Sequence, residues 1–371
     1  MNNLHGILFT YQSNTNLREL TEHRTIASIP YGGQYRIIDF MLSNFVNAGI
    51  TDVGILMHES YQSLLDHLGS GKDWDLSRKW GGLKILPPFA YAKKRGSGEF
   101  RGEMEALGGV YTYLQQIRQD YVILSTCDLV ANLPIASFFD SHLKSGADIT
   151  AVCTRTPTAA PGNATYFSIG SDGRVSDVLC GVHKPLDCES LDIYILSKSL
   201  LLNLIDYCAS HNLTSFSRDV LLGMGHTLSI HPCFYDGYAA RIQSKTAYYT
   251  KSMELFDPSV RASLFRPSQP IRTKDRWDPP TYYGPDAQVE DALVADGCII
   301  EGSVKNSILF RGVRIQKGAS VENCILMQGT SILDSAVLRC IIADKGVTVH
   351  PGRMLMGHES YPLILAKGQS V

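Results

Sequence analysis

Short apolar runs alternate with longer amphipathic stretches over the first two thirds of the chain. The runs at 6–9, 53–56, 121–124 and 148–152 are mostly apolar, and each is followed by residues typical of a loop or a helix. Short apolar runs are typical of strands that are buried on both faces of a parallel sheet. The pattern therefore predicts an α/β domain with a doubly wound sheet.

The stretch 36–48 has the spacing of a helix rather than that of a strand. Ile37, Phe40 and Phe45 recur at helical intervals, and Gly49 follows directly. Glycine is the residue that most often ends a helix, because it tolerates a left-handed backbone. We therefore expect a helix over 36–48 that ends at Gly49.

The last part of the chain, 286–371, has a different rhythm, with small or aliphatic residues at every sixth position. One phase comprises Val313, Ala319, Ile325, Ser331, Val337, Ala343 and Val349, and a second comprises Ile315, Val321, Met327 and Leu333. A six-residue repeat predicts a parallel β-helix in which each unit forms one side of a coil. A β-meander would instead show a period of two with hairpin turns. On this register Ile325 fills the inside of a coil.

Between these two regions the composition changes. Six prolines fall within 257–285, namely Pro258, Pro267, Pro270, Pro279, Pro280 and Pro285. Because proline cannot donate a backbone hydrogen bond, such a segment contains no long helix and no central strand. The sequence predicts a domain over 1–256, a proline-rich surface linker over 257–285 and a β-helix domain over 286–371.

Composition and charge narrow the function classes. The chain has 371 residues, of which 44% are hydrophobic and 19% charged, with a net charge of −2. The length predicts two domains, and the balance of hydrophobic and charged residues is that of a globular protein. No basic block points to a nucleic acid as partner, and no apolar run is long enough to span a membrane. Nine cysteines without a paired spacing, and an N-terminus without a secretory pattern, predict reduced thiols in the cytoplasm.

The most specific motif occupies residues 29–44 and reads I-P-Y-G-G-Q-Y-R-I-I-D-F-M-L-S-N. It is followed by G-S-G-K-D-W-D-L at 69–76, by G-G-L-K-I-L-P-P at 81–88 and by Lys184-Pro185. In this order the motifs resemble those of the ADP-glucose pyrophosphorylases, or glucose-1-phosphate adenylyltransferases. The resemblance extends over nearly the whole chain, because the repeat at the end also matches that family.

The resemblance implies a nucleotidyltransferase-like (Rossmann-like) domain followed by a left-handed parallel β-helix of hexapeptide repeats. The family joins ATP and glucose 1-phosphate into ADP-glucose and pyrophosphate. Such a reaction needs a glycine-rich loop that cradles phosphates, cations that offset phosphate charge, and two carboxylates that hold Mg²⁺.

The chain departs from the family pattern where the nucleotide binds. The segment 10–21 has lost every glycine of the phosphate loop, and Asn16 stands in place of an arginine. Gly102 is kept, but Glu103 and Met104 replace a threonine and an alanine, which would bring charge and bulk toward the nucleotide. These changes leave little of the machinery that stabilises a transition state.

The metal and sugar positions depart as well. Asp128 matches the first metal-binding aspartate, but Arg241 replaces the second, and Asp192 stands where the family has a glycine beside the sugar. Lys184 matches the lysine that holds the sugar phosphate, although a surface lysine before a turn is an equal interpretation. With Gly102, these residues are expected to line a degenerate ligand pocket that has no catalytic residue and no metal.

The positive side chains suggest what such a pocket would bind. Arg241, Lys184 and Arg36 are expected to give it a positive character despite the lost metal site. A sugar phosphate, a nucleotide or phosphate would then bind as an effector without Mg²⁺. The alternative is that Arg241 pairs with Asp128 or Asp192 inside the pocket.

With these departures, the chain resembles the regulatory, GlgD-type subunits of the family. The resemblance implies a non-catalytic chain that has no cofactor of its own and serves glycogen synthesis. It also implies a heterotetramer with a catalytic, GlgC-type subunit, which holds the Mg²⁺. A homo-oligomer in the absence of the partner is the alternative assembly, and a weakly active nucleotidyltransferase with a rearranged site is the alternative function. A hexapeptide-repeat acyltransferase using His350 or His358 fits poorly, because a large domain with pyrophosphorylase motifs precedes the repeat.

Overall fold

The computed structural model describes residues 3–10, 16–57, 60–87, 100–160, 162–182 and 186–371. The α-helices of these residues are α1 (Ile37–Asn47), α2 (Gln62–Leu68), α3 (Glu103–Gly109), α4 (Tyr111–Gln116), α5 (Ile135–Ser145), α6 (Lys198–His211), α7 (Lys245–Met253) and α8 (Pro258–Leu264). The first strands are β1 (Leu4–Phe9), β2 (Pro30–Tyr31), β3 (Tyr35–Arg36), β4 (Asp52–Leu56), β5 (Gly82–Leu86), β6 (Tyr121–Thr126), β7 (Leu129–Ala131), β8 (Ile149–Thr154), β9 (Thr165–Ile169), β10 (Val175–Cys180), β11 (Cys188–Ser197), β12 (Ile230–Phe234) and β13 (Ala239–Arg241). A π-helix, Phe216–Leu222, lies between α6 and β12.

The main sheet of the first domain has the strand order β10-β9-β11-β6-β1-β4-β5, with β8 and β12 branching from β11. Strands β6, β1, β4 and β5 are parallel, and all four apolar runs singled out in the sequence are strands. The sheet is nevertheless mixed, because β11 is antiparallel to β6 and to β8. Strand β11 follows the β9–β10 hairpin rather than a crossover helix, and so it enters the sheet in the opposite direction.

The predicted helix over 36–48 is confirmed as α1. It begins with a capping interaction in which the Arg36 backbone N–H donates to the Asp39 carboxylate at 2.9 Å. It ends before Gly49, whose φ of +77° is the left-handed conformation expected after a helix. The helix is buried along most of its length, since it lies between the sheet and the β-helix side of the molecule.

The second part of the molecule is a parallel β-helix, as predicted from the repeat. Its strands are β14 (Tyr282–Tyr283), β15 (Gln288–Val294), β16 (Ile299–Ile300), β17 (Ser303–Leu309), β18 (Arg314–Ile315), β19 (Ser320–Glu322), β20 (Ile325–Leu326), β21 (Ser331–Ile332), β22 (Val337–Arg339), β23 (Ile341–Ala343), β24 (Thr348–Val349), β25 (Met354–Met356) and β26 (Leu363–Leu365). Ile308 pairs with Ile325, and Ile315 with Ile332, so that successive coils are 17 residues apart. The left-handed sense of the coil stays a prediction.

The strict six-residue period is wrong on one side of each coil. Left-handed backbone corners fall at three sets of positions, which are Asn306, Asn323 and Cys340, then Gly312, Gly329 and Gly346, then Gly318, Ser335 and Gly352. Two sides of a coil therefore span six residues, and the third spans five. Because one side is a residue shorter, positions counted in steps of six no longer point into the coil after that side. Ser331 and Val337 are therefore only half-buried, and their neighbours Ile332 and Leu338 fill the coil instead.

The expectation that Ile325 lies inside a coil is wrong for the same reason. Leu326 occupies the interior, together with the other apolar side chains of the coils. Ile325 is completely buried but faces the opposite way, toward the first domain. Strand neighbours alternate between the two faces, so a slip of one residue exchanges inside for outside. Ile308 and Ile342 stack on either side of Ile325 and extend this outward row.

Several contacts fasten the β-helix to the first domain. The outward isoleucine row packs in one apolar cluster with side chains of that domain, including Tyr248 and Tyr249. The hydroxyl of Tyr249 donates to the Asn323 backbone oxygen at 2.8 Å. Arg24 and Asp344, both buried, form an ion pair across the boundary. The two parts are therefore packed against each other through an apolar cluster, a hydrogen bond and a buried ion pair.

The segment predicted as a linker, 257–285, is held along the first domain. It contains helix α8, and the Asn132 side-chain amide donates to the backbone oxygens of Leu264 and Gln269 at 2.7 and 2.8 Å. The Arg272 N–H donates to the Ser43 hydroxyl at 2.8 Å. Strand β14, near the end of the segment, already pairs with the β-helix. The predicted boundaries at 256 and 285 stay predictions.

The register of the β-helix can be tested by two adjacent substitutions. In Leu326→Asp an unpaired charge is placed inside a coil, and in Ile325→Asp it is placed in the interface between the two parts. Each should lower the free energy of unfolding by several kcal/mol. Hydrogen exchange should rise within the coils for Leu326→Asp, but on both sides of the interface for Ile325→Asp. Arg314→Asp, on an exposed position of β18, is the matched control, and identical exchange patterns for the two variants would contradict the register.

Candidate functional site

An open cleft lies at the carboxyl ends of β1 and β6, the edge at which α/β sheets usually bind ligands. It is lined by Phe9, Arg101, Gly102, Glu103, Leu124, Ser125, Thr126, Gly162, Asn163, Ala164, Thr165, Cys180, Gly181, Asp192, Tyr194, Thr214, Ser215, Phe216, Ser217, Arg218 and Gln243. Its volume of about 270 Å³ is near the lower limit of small-molecule sites. We call it the polar cleft.

Gly102 is required by packing at one wall of the polar cleft. A Cβ atom at this position would collide with the backbone oxygen of Thr214. Glu103 begins α3 and points to the cleft, where its carboxylate accepts the Phe216 N–H at 3.2 Å. Met104, expected to add bulk beside a nucleotide, instead packs in the apolar core behind the wall.

Behind the cleft lies a cluster of three charged side chains, Arg241, Asp128 and Asp192, which we call the buried ion group. The Nη1 atom of Arg241 is 3.2 Å from Asp128 Oδ2 and 2.7 Å from Asp192 Oδ2. The side chains of Arg241 and Asp128 have no solvent exposure, whereas Asp192 is 19% exposed on the cleft side. The group thus joins β13, the end of β6 and β11.

Further hydrogen bonds fix each member of this group. Arg241 Nη2 donates to the Ser190 backbone oxygen at 2.9 Å. Asp128 accepts from the Thr126 hydroxyl at 2.7 Å and from the Gln243 amide at 3.1 Å. Asp192 accepts from the Tyr194 hydroxyl at 3.0 Å. A buried ion pair is stable only with such additional bonds, because they replace the lost hydration.

The electrostatics keep Arg241 charged. Burial alone would lower the pKa of Arg241, but the carboxylates of Asp128 and Asp192 raise it above the ordinary value for arginine. Burial raises the pKa of Asp192, and the Arg241 guanidinium opposes that shift. The three side chains therefore carry a formal charge of about −1 when both carboxyls are ionised.

Asp192 adopts an unusual backbone conformation for a residue with a side chain. Its φ is +54°, in the left-handed region that glycine adopts freely and aspartate tolerates. This explains why glycine stands here in the resembling family. In this chain the aspartate side chain meets Arg241, so that two departures from the family motif form one contact.

The described residues do not fit a Mg²⁺ ion. Magnesium requires oxygen ligands in a near-octahedral shell at about 2.0–2.1 Å. The Arg241 guanidinium occupies the space between the carboxylates of Asp128 and Asp192, and its charge would repel a cation. Over the described part of the chain there is no group of three acidic, histidine or cysteine side chains that could hold a metal.

The structure separates the predicted pocket residues into three sets. Gly102 and Asp192 line the polar cleft, while Asp128 and Arg241 lie behind it. Lys184 lies outside the described residues, as do residues 11–15 of the glycine-poor loop. The expected positive character is wrong for Arg241, because two carboxylates neutralise this cation and no open space faces it.

Arg36 belongs to a second cleft, which lies between the first domain and the β-helix. We call it the basic cleft, and its lining includes Arg36, His67, Lys274, Arg276, Arg311, Gln328 and Lys345. Arg36 Nη1 donates to the Ser63 backbone oxygen at 2.5 Å and lies 3.0 Å from the Ser63 hydroxyl. Arg311 is partly neutralised by Asp278 at 3.0 Å.

The cations of the basic cleft change one another's acidity. Burial, followed by the neighbouring charge of Arg36, lowers the pKa of Lys345 to about 7. Burial lowers the pKa of Arg36 to about 10, so this side chain is still charged at neutral pH. The sequence could not show this cluster, because its members come from distant segments that only the packing of the two parts brings together.

Comparison with known proteins follows the same division of the chain. Residues 13–224 match the family described as nucleotidyl transferase, and residues 282–360 match the family described as GlmU-like, C-terminal hexapeptide. The chain is 37% identical to the glycogen biosynthesis protein GlgD of Bacillus subtilis (strain 168), over 99% of this chain and 96% of that protein. It is 38% identical to the GlgD of Geobacillus stearothermophilus, over 95% and 92%. It is 34% identical to the glucose-1-phosphate adenylyltransferase of Geobacillus stearothermophilus, over 82% and 80%.

None of the helices within the described ranges is both long and apolar enough to cross a membrane.

The buried ion group can be tested by removing its cation. Arg241→Met keeps a long side chain but leaves Asp128 and Asp192 uncompensated, which should lower the free energy of unfolding by about 3–5 kcal/mol at pH 7. Loss of Arg241 should raise the pKa of Asp192 further above its usual 3.8. A raised folded-state pKa gives stability that is present at low pH and lost as the pH rises, so the effect should be smaller at pH 5 than at pH 7.

The measurement is urea unfolding of the parent and variant chains at both pH values. Arg218→Met, at an exposed arginine on the rim of the polar cleft, is the control and should change the free energy by less than about 0.5 kcal/mol. If Arg241→Met lowers the free energy of unfolding equally at pH 5 and pH 7, Arg241 does not stabilise the chain through these carboxylates.

Proposed function

We propose that this chain, which belongs to the GlgD family of nucleotidyl transferase-fold proteins, is a non-catalytic, regulatory subunit of glucose-1-phosphate adenylyltransferase in glycogen biosynthesis. The observation that carries the proposal is the guanidinium of Arg241 between Asp128 and Asp192. The fold of the enzyme family is present, but an internal cation stands where its chemistry needs two carboxylates and a metal.

The loss of the metal site has a large effect on the proposed chemistry. In the reaction that the family performs, Mg²⁺ offsets phosphate charge as it develops and shifts during displacement. Arg241 cannot take over that role, because it is sealed behind the polar cleft and bound to three protein groups. Loss of even one stabilising donor lowers such rates by about 10²–10³. Several losses leave little activity, which supports a regulatory role.

A partner would then supply the catalysis. The relatives that share this chain's length include both GlgD proteins and glucose-1-phosphate adenylyltransferases. We infer that this chain associates with the catalytic, GlgC-type subunit, that the complex is a heterotetramer in the cytoplasm, and that Mg²⁺ is bound by the partner alone. Support comes from the packing of the β-helix on the first domain and from the similarity to both kinds of relative over at least four fifths of the chain.

An effector site would give such a subunit a means of regulation. The basic cleft combines Arg36, Lys274, Arg276 and Lys345, and it lies where the two parts of the chain meet. An anion there would relieve repulsion among cations and would contact both parts at once. We infer that phosphate binds in the basic cleft, whose volume of about 40 Å³ is that of a site for a small anion.

Activity assays test the proposed role directly. The chain alone should turn over ATP and glucose 1-phosphate with Mg²⁺ at less than about 0.1 s⁻¹, a hundredfold below the typical enzyme. Mixed with a GlgC-type subunit, it should co-purify and change that subunit's kcat or KM. Turnover above this limit by the chain alone, or a mixture that behaves as the catalytic subunit does by itself, would contradict the proposal.

Calorimetry with inorganic phosphate tests the basic cleft. Arg276→Ala and Lys345→Met should each weaken binding about tenfold or more, because each removes a charge-assisted hydrogen bond. In the parent chain the affinity for sulfate, whose charge is constant near neutral pH, should fall as the pH rises through about 7, since Lys345 loses its proton there. This step should be absent in Lys345→Met. Lys317→Ala, at an exposed position of the β-helix, is the control and should bind phosphate as the parent chain does. If Arg276→Ala and Lys345→Met also bind phosphate as the parent does, the anion binds elsewhere.

A further inference from the structure

The basic cleft collects cations without a carboxylate of its own. The described residues that line it include no acidic side chain, and its lysines and arginines are Arg36, Lys274, Arg276, Arg311 and Lys345. Within the described ranges, only Arg311 of these five forms an ion pair, with Asp278. Arg36 donates to the backbone oxygen and the hydroxyl of Ser63, which carry no full charge. The cleft therefore lacks a counter-charge.

Lys345 lies among these cations, and the carboxylate next to it in the chain is already occupied. It follows β23 in the β-helix and is half-buried. Its neighbour Asp344 forms the buried ion pair with Arg24 and also accepts the Lys345 backbone N–H at 2.6 Å. Among the residues that the structure describes, none forms a hydrogen bond or an ion pair with the Lys345 amine. The amine thus has neighbours that repel its charge and no partner that stabilises it.

This environment makes Lys345 a nucleophile at neutral pH. Burial, together with the charges of Arg36 and Arg24, lowers the pKa of Lys345 to about 7, so about half of its amines are uncharged there. An exposed lysine, with a pKa near 10.4, is uncharged in less than about one molecule in a thousand. His67, on the same cleft, is held by Asp39 at 2.6 Å, and burial lowers its pKa. Lysines that are uncharged at neutral pH are the ones that form covalent bonds to carbon.

We propose that Lys345 is a reversible carboxylation site, at which the amine takes up carbon dioxide and the resulting carbamate is held by Arg36 and Arg276. The lone pair of Nζ attacks the carbon of carbon dioxide, and an N–C bond forms. One C=O double bond opens and its electron pair stays on oxygen, while one N–H proton leaves to solvent. The step needs no oxidant or reductant, and a cleft of about 40 Å³ has room for the three added atoms.

The carbamate would supply the counter-charge that the cleft lacks. It replaces an amine that the guanidiniums repel by a carboxylate, which accepts charge-assisted hydrogen bonds from them. Lys345 belongs to the β-helix and Arg36 to β3, so the new contact joins the two parts of the chain. The phosphate proposed above would need the same space, and carbon dioxide should therefore exclude it. As regulation of that anion site, the proposal rests on the proposed function, although the carbamate itself can be detected on the chain alone.

The test uses the full chain equilibrated with isotope-labelled carbon dioxide at a fixed pressure. A carbamate gives a carbon NMR signal separate from those of carbon dioxide and bicarbonate. Alkylation with a trialkyloxonium salt traps it as an ester, which mass spectrometry of the peptides assigns to a residue. The parent chain should carry the ester on Lys345, and its amount should rise between about pH 6 and pH 8 as the amine loses its proton.

Three variants locate the reaction. Lys345→Arg keeps a cation in the cleft but has no amine, so both the NMR signal and the trapped ester should be lost. Arg276→Gln leaves the amine in place and should lower the carbamate fraction about tenfold at subsaturating carbon dioxide, because a charge-assisted donor is removed. Lys317→Arg, at an exposed lysine of the β-helix, is the matched control and should leave the signal unchanged.

The proposal is overturned if the parent chain shows no carbamate, if Lys345→Arg keeps the signal, or if Lys345 is labelled no more than Lys317. Competition tests the regulation, since carbon dioxide should weaken sulfate binding in the parent chain and leave it unchanged in Lys345→Arg. A chain that binds phosphate and regulates its partner but forms no carbamate contradicts carboxylation alone. A chain that forms the carbamate but has no effect on a catalytic partner contradicts the proposed function alone.

Discussion

Arg241 is a full positive charge in a place that no solvent reaches, and the surrounding structure is arranged to hold it there. Taking such an ion out of water costs several kcal/mol, which only well-placed opposite charges and hydrogen bonds offset. Here they come from Asp128 after β6, from Asp192 and Ser190 on β11, and from the antiparallel pairing of β13 with β7. Strands β6, β7, β11 and β13 are therefore held together at one point, and the back of the polar cleft is fixed as a consequence.

This arrangement gives a physical account of how a catalytic fold can lose its reaction and keep its shape. A metal ion between carboxylates stabilises the structure as well as the chemistry, so its loss would leave negative charges facing one another. A guanidinium anchored in the chain provides the same neutralisation permanently. It offers no open coordination position, however, so it neutralises the two carboxylates without creating a place for a metal ion.

The sequence predicted the elements that depend on local patterns. Helix α1 and four strands of the main sheet, β1, β4, β6 and β8, follow directly from hydrophobic spacing and from Gly49. The other five strands of this sheet were not predicted. A pairing of Arg241 with Asp128 or Asp192 was one of two alternatives that the sequence left open, and the structure shows that Arg241 contacts both. The sequence alone could not decide, because Asp192 and Arg241 are 49 positions apart and meet through the left-handed backbone at Asp192. The five-residue side of the coil was missed because Asn323 and Cys340, rather than glycines, occupy that corner.

The 17-residue coil restricts how this part of the chain can change in length during evolution. A strand of one coil pairs with the strand 17 positions later, and the left-handed corners recur in the same step. Loss of one residue within a coil would turn every later side chain to the wrong face, up to the next corner loop. Loss or duplication of a whole coil would preserve all pairings. Homologous chains should therefore differ in this region by entire coils or by insertions at corners, and hardly ever by single residues within strands.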